Sequence, residues 1–208
     1  GMDVEEVFNH RKESGSILNF RNATNVEESE EVLEMDCDIL IPAALENQIH
    51  KGNAHKIKAK IIAEAANGPV TTAAEEVLTR QNVMILPALY LNAGGVTVSY
   101  FEWLKNLSHV RFGRMGKRLE EGNSRRLVEA IEQATGKQIN FQQREVLIHG
   151  GEEIDLVRSG LEETMVYAFH EINEIKYQKP EIPNYRVAAF ISGINKVVTS
   201  YKLLGVFP

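Results

Sequence analysis

Cysteine is nearly absent from this sequence, since Cys37 is the only one among 208 residues. A single thiol cannot build a disulfide framework within one chain, and it fits a reducing compartment. Runs of apolar residues are also far shorter than the roughly 20 residues that a membrane-spanning helix needs. We therefore expect no membrane span and no signal peptide, and we predict a cytoplasmic protein.

Several motifs that carry chemistry are missing as well. No G-x-G-x-x-G turn and no P-loop occur, and the six histidines form no HxxxH or HExxH spacing, so we predict no metal site. Ser99 lacks the G-x-S-x-G context of a nucleophile. The net charge is −6 and no basic block exists, which argues against nucleic-acid binding.

Three short apolar runs give the chain its organisation. They occupy residues 39–41, 61–63 and 83–86, and their starts lie 22 residues apart each time. Such a run is typical of a strand that is buried on both faces. The interval of 22 residues leaves room for the crossover helix that parallel strands require. The pattern predicts an α/β fold with a parallel sheet.

Helical signals follow and surround these runs. Residues 72–75, TAAE, have the spacing of a capping box with Thr72 as the cap. The stretch 87–103 reads as the end of a strand, a Gly-rich turn at 92–95 and a helix. Apolar stripes predict two long core helices, interrupted at 178–184 by two prolines and stopped by Gly205. The run 146–148 predicts a short strand.

Small and amide residues follow each of the three predicted strands, in the segments 42–44, 64–69 and 92–95. Carboxyl ends of parallel strands share one side of a sheet, and ligands bind in the crevice outside them. Asn67 and Asn92 could donate and accept hydrogen bonds there. Ordinary tight turns are the alternative. Glu46 and Glu64 also stand near strand ends, where carboxylates are more often solvated or cap a helix than act as acid or base.

Five segments of the chain carry a resemblance to a known family. They are CDILIPAA (37–44), IIAEAANGP (61–69), YLNAGGVTVSYFEW (90–103), SGLEETM (159–165) and RVAAFISGINKV (186–197). The sequences of these segments resemble glutamate dehydrogenase, and the match runs nearly from one end of the chain to the other. The third segment is long and specific, so it carries most of the assignment.

The resemblance implies a hexameric enzyme that interconverts L-glutamate with 2-oxoglutarate and ammonia, using NAD or NADP. It implies a partial Rossmann-like NAD(P)-binding domain at 1–107, an antenna-like insertion at 108–152 and a C-terminal helical segment at 153–208. The family's Gly-rich phosphate turn and catalytic Lys and Asp are expected upstream. We therefore assign no catalytic residue and expect the isolated chain to be inactive without its N-terminal half. A eukaryotic source would place it in the mitochondrial matrix.

Site residues follow from the resemblance, motif by motif. The pyrophosphate and ribose path would be lined by Ala43, Ala44 and Gln48. The nicotinamide ribose and carboxamide would meet Asn67 and Asn92. Val96 and Ser99 would border the substrate.

Two other hypotheses remain open at this point. The chain could be a non-catalytic interaction module derived from the family, which uses the antenna-like insertion and an exposed sheet edge. It could also be a leucine, valine or phenylalanine dehydrogenase, since these enzymes share the architecture. The sequence of segment 90–103 favours glutamate over these three amino acids as the substrate.

Overall fold

The structure is a computed structural model, and it describes residues 1–108, 114–150 and 152–205. It divides into two compact units, Gly1–Ile85 and Leu86–Pro208. Parts of the predicted insertion, residues 109–113 and 151, lie outside the described residues. The division of the chain into three segments stays a prediction.

The first unit holds the predicted parallel sheet. Its elements are α1 (Val4–Ser14), a 3₁₀ helix (Ser29–Glu34), β1 (Ile39–Leu40), a second 3₁₀ helix (Ala54–Lys56), β2 (Ile61–Ala63), α2 (Thr72–Arg80) and β3 (Met84–Leu86). The strand order is β1-β2-β3, and β1 runs parallel to β2 with Ile39 opposite Ile61. The backbone N–H of Met84 donates to the Lys60 carbonyl at 2.9 Å. All three predicted strands and the α/β class are confirmed.

One apolar core holds this unit together. Ile49, Ile62 and Leu78 are among its largest fully buried side chains. Ala74 and Leu78 are four residues apart on α2, so both face the sheet, as helical periodicity requires. Removal of this apolar surface from water is the main term that stabilises the unit.

The crossover between β1 and β2 differs from the prediction. It contains only the 3₁₀ helix Ala54–Lys56, and no α-helix. The backbone of this segment pairs elsewhere instead, because Ile49 forms an isolated parallel bridge with Val70. A segment whose N–H and C=O groups are already used in this way has no need of a full helix to satisfy them.

The N-terminus of α2 also lies one residue earlier than its sequence pattern predicts. Thr71 is the cap: its backbone is extended, and its hydroxyl accepts from the Ala74 N–H at 3.3 Å. Thr72 is the first helical residue. The capping-box interpretation therefore named the wrong threonine of an adjacent pair.

Replacement of Thr71 by alanine is expected to destabilise α2 by about 1 kcal/mol, because an orphan N–H of the first helical turn loses its acceptor. The neighbouring Thr72→Ala is the matched control, since this exposed side chain caps nothing and should change stability by less than about 0.5 kcal/mol. Amide hydrogen exchange of residues 72–80 measures both. A larger loss in Thr72→Ala would restore the original capping-box interpretation.

After Leu86, the last residue of β3, the described part of the second unit consists of helices. They are α3 (Ala88–Leu91), α4 (Ala93–Ser108), α5 (Arg114–Thr135), α6 (Phe141–Ile148), α7 (Glu153–Gln178) and α8 (Tyr185–Leu204). The predicted Gly-rich turn at 92–95 is wrong: Asn92 alone separates α3 from α4, and Gly94 and Gly95 lie in the first turn of α4. Glycine in a helix costs about 1 kcal/mol relative to alanine, which a packed helix tolerates.

The predicted strand at 146–148 is wrong as well, because these residues form the end of α6. The side chain of Asn140 caps this helix by accepting from the Gln143 N–H at 2.9 Å. A capped helical start six residues upstream outweighs the strand preference of three apolar residues.

Helices α7 and α8 pack through a small core that includes Ile172, Tyr185 and Ala188. Beside it, Ser192 Oγ donates to Glu171 Oε1 at 2.8 Å, and Lys196 Nζ lies 2.8 Å from Glu171 Oε2. The hydrogen bond from Lys196, with a smaller contribution from Ser192, holds the pKa of Glu171 below its usual range despite partial burial.

The prediction that the apolar stripe of α8 lies in the core is wrong for most of that stripe, because every predicted residue except the half-buried Ile191 is exposed. Tyr185, Ala188, Ala189 and Ser192 are buried, whereas Phe190, Ile194, Val197 and Tyr201 are exposed in the described structure. The helix therefore carries two apolar faces, of which one packs on α7. No helix in the described ranges is long and apolar enough to cross a membrane.

Candidate functional site

Two loops at the carboxyl ends of β1 and β2 form one block. We call residues 41–53 the β1 loop and residues 64–71 the β2 loop. The Ala65 N–H donates to the Pro42 carbonyl at 3.1 Å, directly after the strands end. Further along, the Asn47 N–H donates to Gly68 at 3.0 Å, and that of Ile49 donates to Pro69 at 2.9 Å. Parallel pairing therefore continues beyond the strands.

The predicted cofactor residues of this unit all lie on the joined loops. Ala43, Ala44 and Asn67 are exposed, and Gln48 is half-buried. The Gln48 Nε2 donates to the Glu46 carbonyl at 3.1 Å. Exposed alanines leave room above the backbone for a large ligand, and the two amide side chains offer donors and acceptors.

Asn53 is a residue of this block that the sequence interpretation missed. It is 4% exposed, its Nδ2 donates to the Gln48 carbonyl at 2.9 Å, and its Oδ1 accepts from the His50 N–H at 2.8 Å. Its neighbours in the sequence are Gly52 and Ala54, within a polar stretch that reads as surface loop. Nothing in that local composition signals a buried amide.

Glu64 and Glu46 have opposite environments. Glu46 is exposed, as a solvated carboxylate should be, whereas the side chain of Glu64 is fully buried. Of the two ordinary roles expected for these carboxylates, solvation or helix capping, solvation is therefore wrong for Glu64. Its burial follows from strand geometry, because Glu64 lies two residues after the buried Ile62 and points to the same face.

The predicted residues of the second unit lie at the start of α4. Asn92, Val96 and Ser99 are separated by four and three residues, so they share one helical face. Val96 and Ser99 are exposed, and Ser99 Oγ donates to the Gly95 carbonyl at 3.1 Å. A Cβ added at Gly95 would meet no atom within 4 Å. This end of α4 therefore presents an amide, an apolar side chain and a hydroxyl beside open space.

A separate cavity of about 710 Å³ lies between α4 and α7 and contains none of the predicted residues. Its lining is mostly apolar, with Phe101 and Val157 among its residues. Its charged lining residues are Glu102, Lys105 and Glu153, of which Lys105 and Glu153 form an ion pair with each other. In the part of the chain that the structure describes, no three His, Cys, Asp or Glu side chains gather as a metal site would require.

A parallel α/β sheet with small residues and amides outside its strand ends is the architecture of Rossmann-like domains. The sequence places the chain more narrowly within this class. Residues 1–157 match the family model for glutamate/leucine/phenylalanine/valine dehydrogenase, so the chain belongs to that family.

Individual relatives agree with this assignment. The chain is 47% identical to the mitochondrial glutamate dehydrogenase of Dictyostelium discoideum over 99% of its own length and 40% of the relative's. It is 46% identical to a probable glutamate dehydrogenase of Sinorhizobium fredii over 95% of its length and 44% of the relative's. The chain thus spans well under half of the curated relatives it matches.

Solved structures give the same fold. One is a hetero-hexameric glutamate dehydrogenase from Thermus thermophilus in a leucine-bound form, with a TM-score of 0.64 and 18% identity. It covers all of this chain and 39% of the other. At that identity the likeness shows the fold, and the fold agrees with the Rossmann-like prediction.

Proposed function

We propose that these residues form part of an NAD(P)-dependent glutamate dehydrogenase, which oxidises L-glutamate to 2-oxoglutarate and ammonia. The observation that carries this proposal is the single block formed by the β1 and β2 loops. It presents Ala43, Ala44, Gln48 and Asn67 at the carboxyl ends of two parallel strands in a chain of this family.

The residues present fit a dinucleotide. Small exposed side chains at Ala43 and Ala44 let an extended ligand lie against the backbone. The Gln48 and Asn67 amides could bind ribose hydroxyls, since an amide both donates and accepts. When bound, the nicotinamide takes up the hydride that leaves the substrate. The loops supply position, and backbone pairing keeps that position fixed.

The second unit supplies the residues that we assign to the nicotinamide carboxamide and the substrate. The side chain of Asn92 would pair with the carboxamide and so select which face of the ring meets the substrate. Val96 would border the carbon chain of glutamate, and the Ser99 hydroxyl would donate to a carboxylate oxygen. A hydroxyl that now donates within its own helix can turn to a ligand at small cost.

Glutamate is favoured over leucine, valine and phenylalanine by the relatives, since the two described above both carry the glutamate name. We propose that the complete protein assembles as a hexamer, because the Thermus thermophilus glutamate dehydrogenase is described as hetero-hexameric. We propose a cytoplasmic location in a bacterium and the mitochondrial matrix in a eukaryote.

An activity assay tests the proposal. The polypeptide as its gene encodes it should reduce NAD or NADP with glutamate, read as absorbance at 340 nm, and should be far less active with leucine, valine or phenylalanine. The 208-residue chain on its own should show no turnover, because it spans only 40% of its Dictyostelium relative.

Two results would contradict the proposal. Inactivity of the encoded polypeptide with all four amino acids and both cofactors would support the interaction module instead. A preference for leucine, valine or phenylalanine would keep the enzyme class and replace the substrate.

A further inference from the structure

Asn53 is a nearly buried amide in a loop whose other polar side chains mostly face solvent. Burial of an amide is unfavourable unless hydrogen bonds replace those to water. Asn53 meets this requirement with two backbone groups of its own loop, the Gln48 carbonyl at 2.9 Å and the His50 N–H at 2.8 Å. Its side chain therefore spans the peptide units on both sides of Ile49.

Gln48 lies between anchored neighbours. Asn47 has a positive φ of 55°, and its N–H is bound to Gly68. Ile49 is fully buried, and its N–H is bound to Pro69. The Gln48 carbonyl is the next group along this backbone, and Asn53 holds it. The orientation of Gln48 thus depends on the β2 loop through its neighbours and on Asn53 directly.

We propose that Asn53 is a positioning residue for the cofactor site, which fixes Gln48 and keeps the β1 loop in register with the β2 loop that carries Asn67. This inference rests on the proposed function. A loop released from Asn53 would populate other conformations, and cofactor affinity falls in proportion to the fraction of molecules in the competent one.

Substitution by aspartate separates the two hydrogen bonds of Asn53. Asn53→Asp keeps the shape and the acceptor for the His50 N–H, but it places an oxygen against the Gln48 carbonyl. In the full encoded polypeptide we expect the Kd for NADH or NADPH to rise about tenfold, equivalent to about 1.4 kcal/mol. The kcat at saturating cofactor should stay within about twofold, because Asn53 touches no reacting atom.

Ile85→Val is the control for lost stability. Ile85 belongs to the core of the same unit, and its substitution by valine removes one methyl group. Its apolar side chain takes no part in the hydrogen bonds of Asn53 or Gln48. It should lower the melting temperature and leave the cofactor Kd unchanged. An equal rise of Kd in Ile85→Val would mean that general destabilisation explains the result, and would overturn the inference.

A double-mutant cycle tests whether Asn53 acts through Gln48. Gln48→Ala alone should also raise the Kd about tenfold. The double variant, Gln48→Ala with Asn53→Asp, should raise the Kd about tenfold relative to the unaltered polypeptide, and not about 100-fold. Multiplying effects would show that Asn53 acts independently of Gln48 and would overturn the inference. So would an unchanged Kd in Asn53→Asp. If the unaltered polypeptide binds neither NADH nor NADPH, the proposed function fails first, and this inference fails with it.

Discussion

Alanine in place of Asn92 is expected to lower kcat/KM for glutamate oxidation by the full encoded polypeptide about 100-fold. On the proposed function, the Asn92 amide makes paired hydrogen bonds to the nicotinamide carboxamide. Loss of both would cost about 1 kcal/mol each, and the carboxamide would be left partly unsatisfied at further cost. A sum near 2.8 kcal/mol corresponds to two factors of ten.

The backbone gives no reason for Asn92→Ala to misfold. Asn92 has φ −70° and ψ −16°, a right-handed helical conformation that alanine adopts readily. Asn106→Ala is the matched control, because Asn106 is an exposed amide on α4, the helix that follows Asn92, and should leave the rate unchanged. Steady-state kinetics with varied cofactor separate binding from turnover. Equal rates in both variants would remove Asn92 from the site.

Leu78→Ala should destabilise the first unit by about 2–5 kcal/mol, the largest stability effect we expect. The side chain of Leu78 is fully buried, with a relative exposure of 0%. It packs in the core with Ile49 and Ile62. Truncation removes apolar contacts and leaves a cavity that the surrounding backbone cannot close.

Thermal unfolding and amide exchange of β2 and α2 measure this effect. Thr79→Ala, at the next position and exposed, is the control and should stay within about 0.5 kcal/mol. A Leu78→Ala variant as stable as Thr79→Ala would mean that α2 does not pack on the sheet as described.

The sequence predicted those elements whose signal is local. The runs at 39–41, 61–63 and 83–86 are apolar without interruption, and each became a strand. Adjacent candidates were harder to separate, as with Thr71 and Thr72, because both satisfy nearly the same spacing. The strand predicted at 146–148 failed because the competing signal, the Asn140 cap, lies outside the apolar run.

The candidate site shows a sharper division. Ala43 and Asn67 could be named because they stand in recognisable motifs, and Gln48 because it follows one of them closely. Their arrangement could not be, because it depends on backbone bonds such as Asn47 to Gly68, which join residues about 20 positions apart. Asn53 could not be identified from the sequence for the same reason, since its burial is a property of the folded loop and not of the neighbouring sequence.

The bridge between Ile49 and Val70 also sets which changes this region can accept during evolution. Its bonds join main-chain groups, so exposed side chains such as Glu46 and Lys51 can be exchanged without breaking it. A change in length is different. One residue inserted or deleted between 47 and 49 would shift the pairing and turn the buried Ile49 outward. Homologous sequences should therefore drift in composition along this loop while its residue count stays constant.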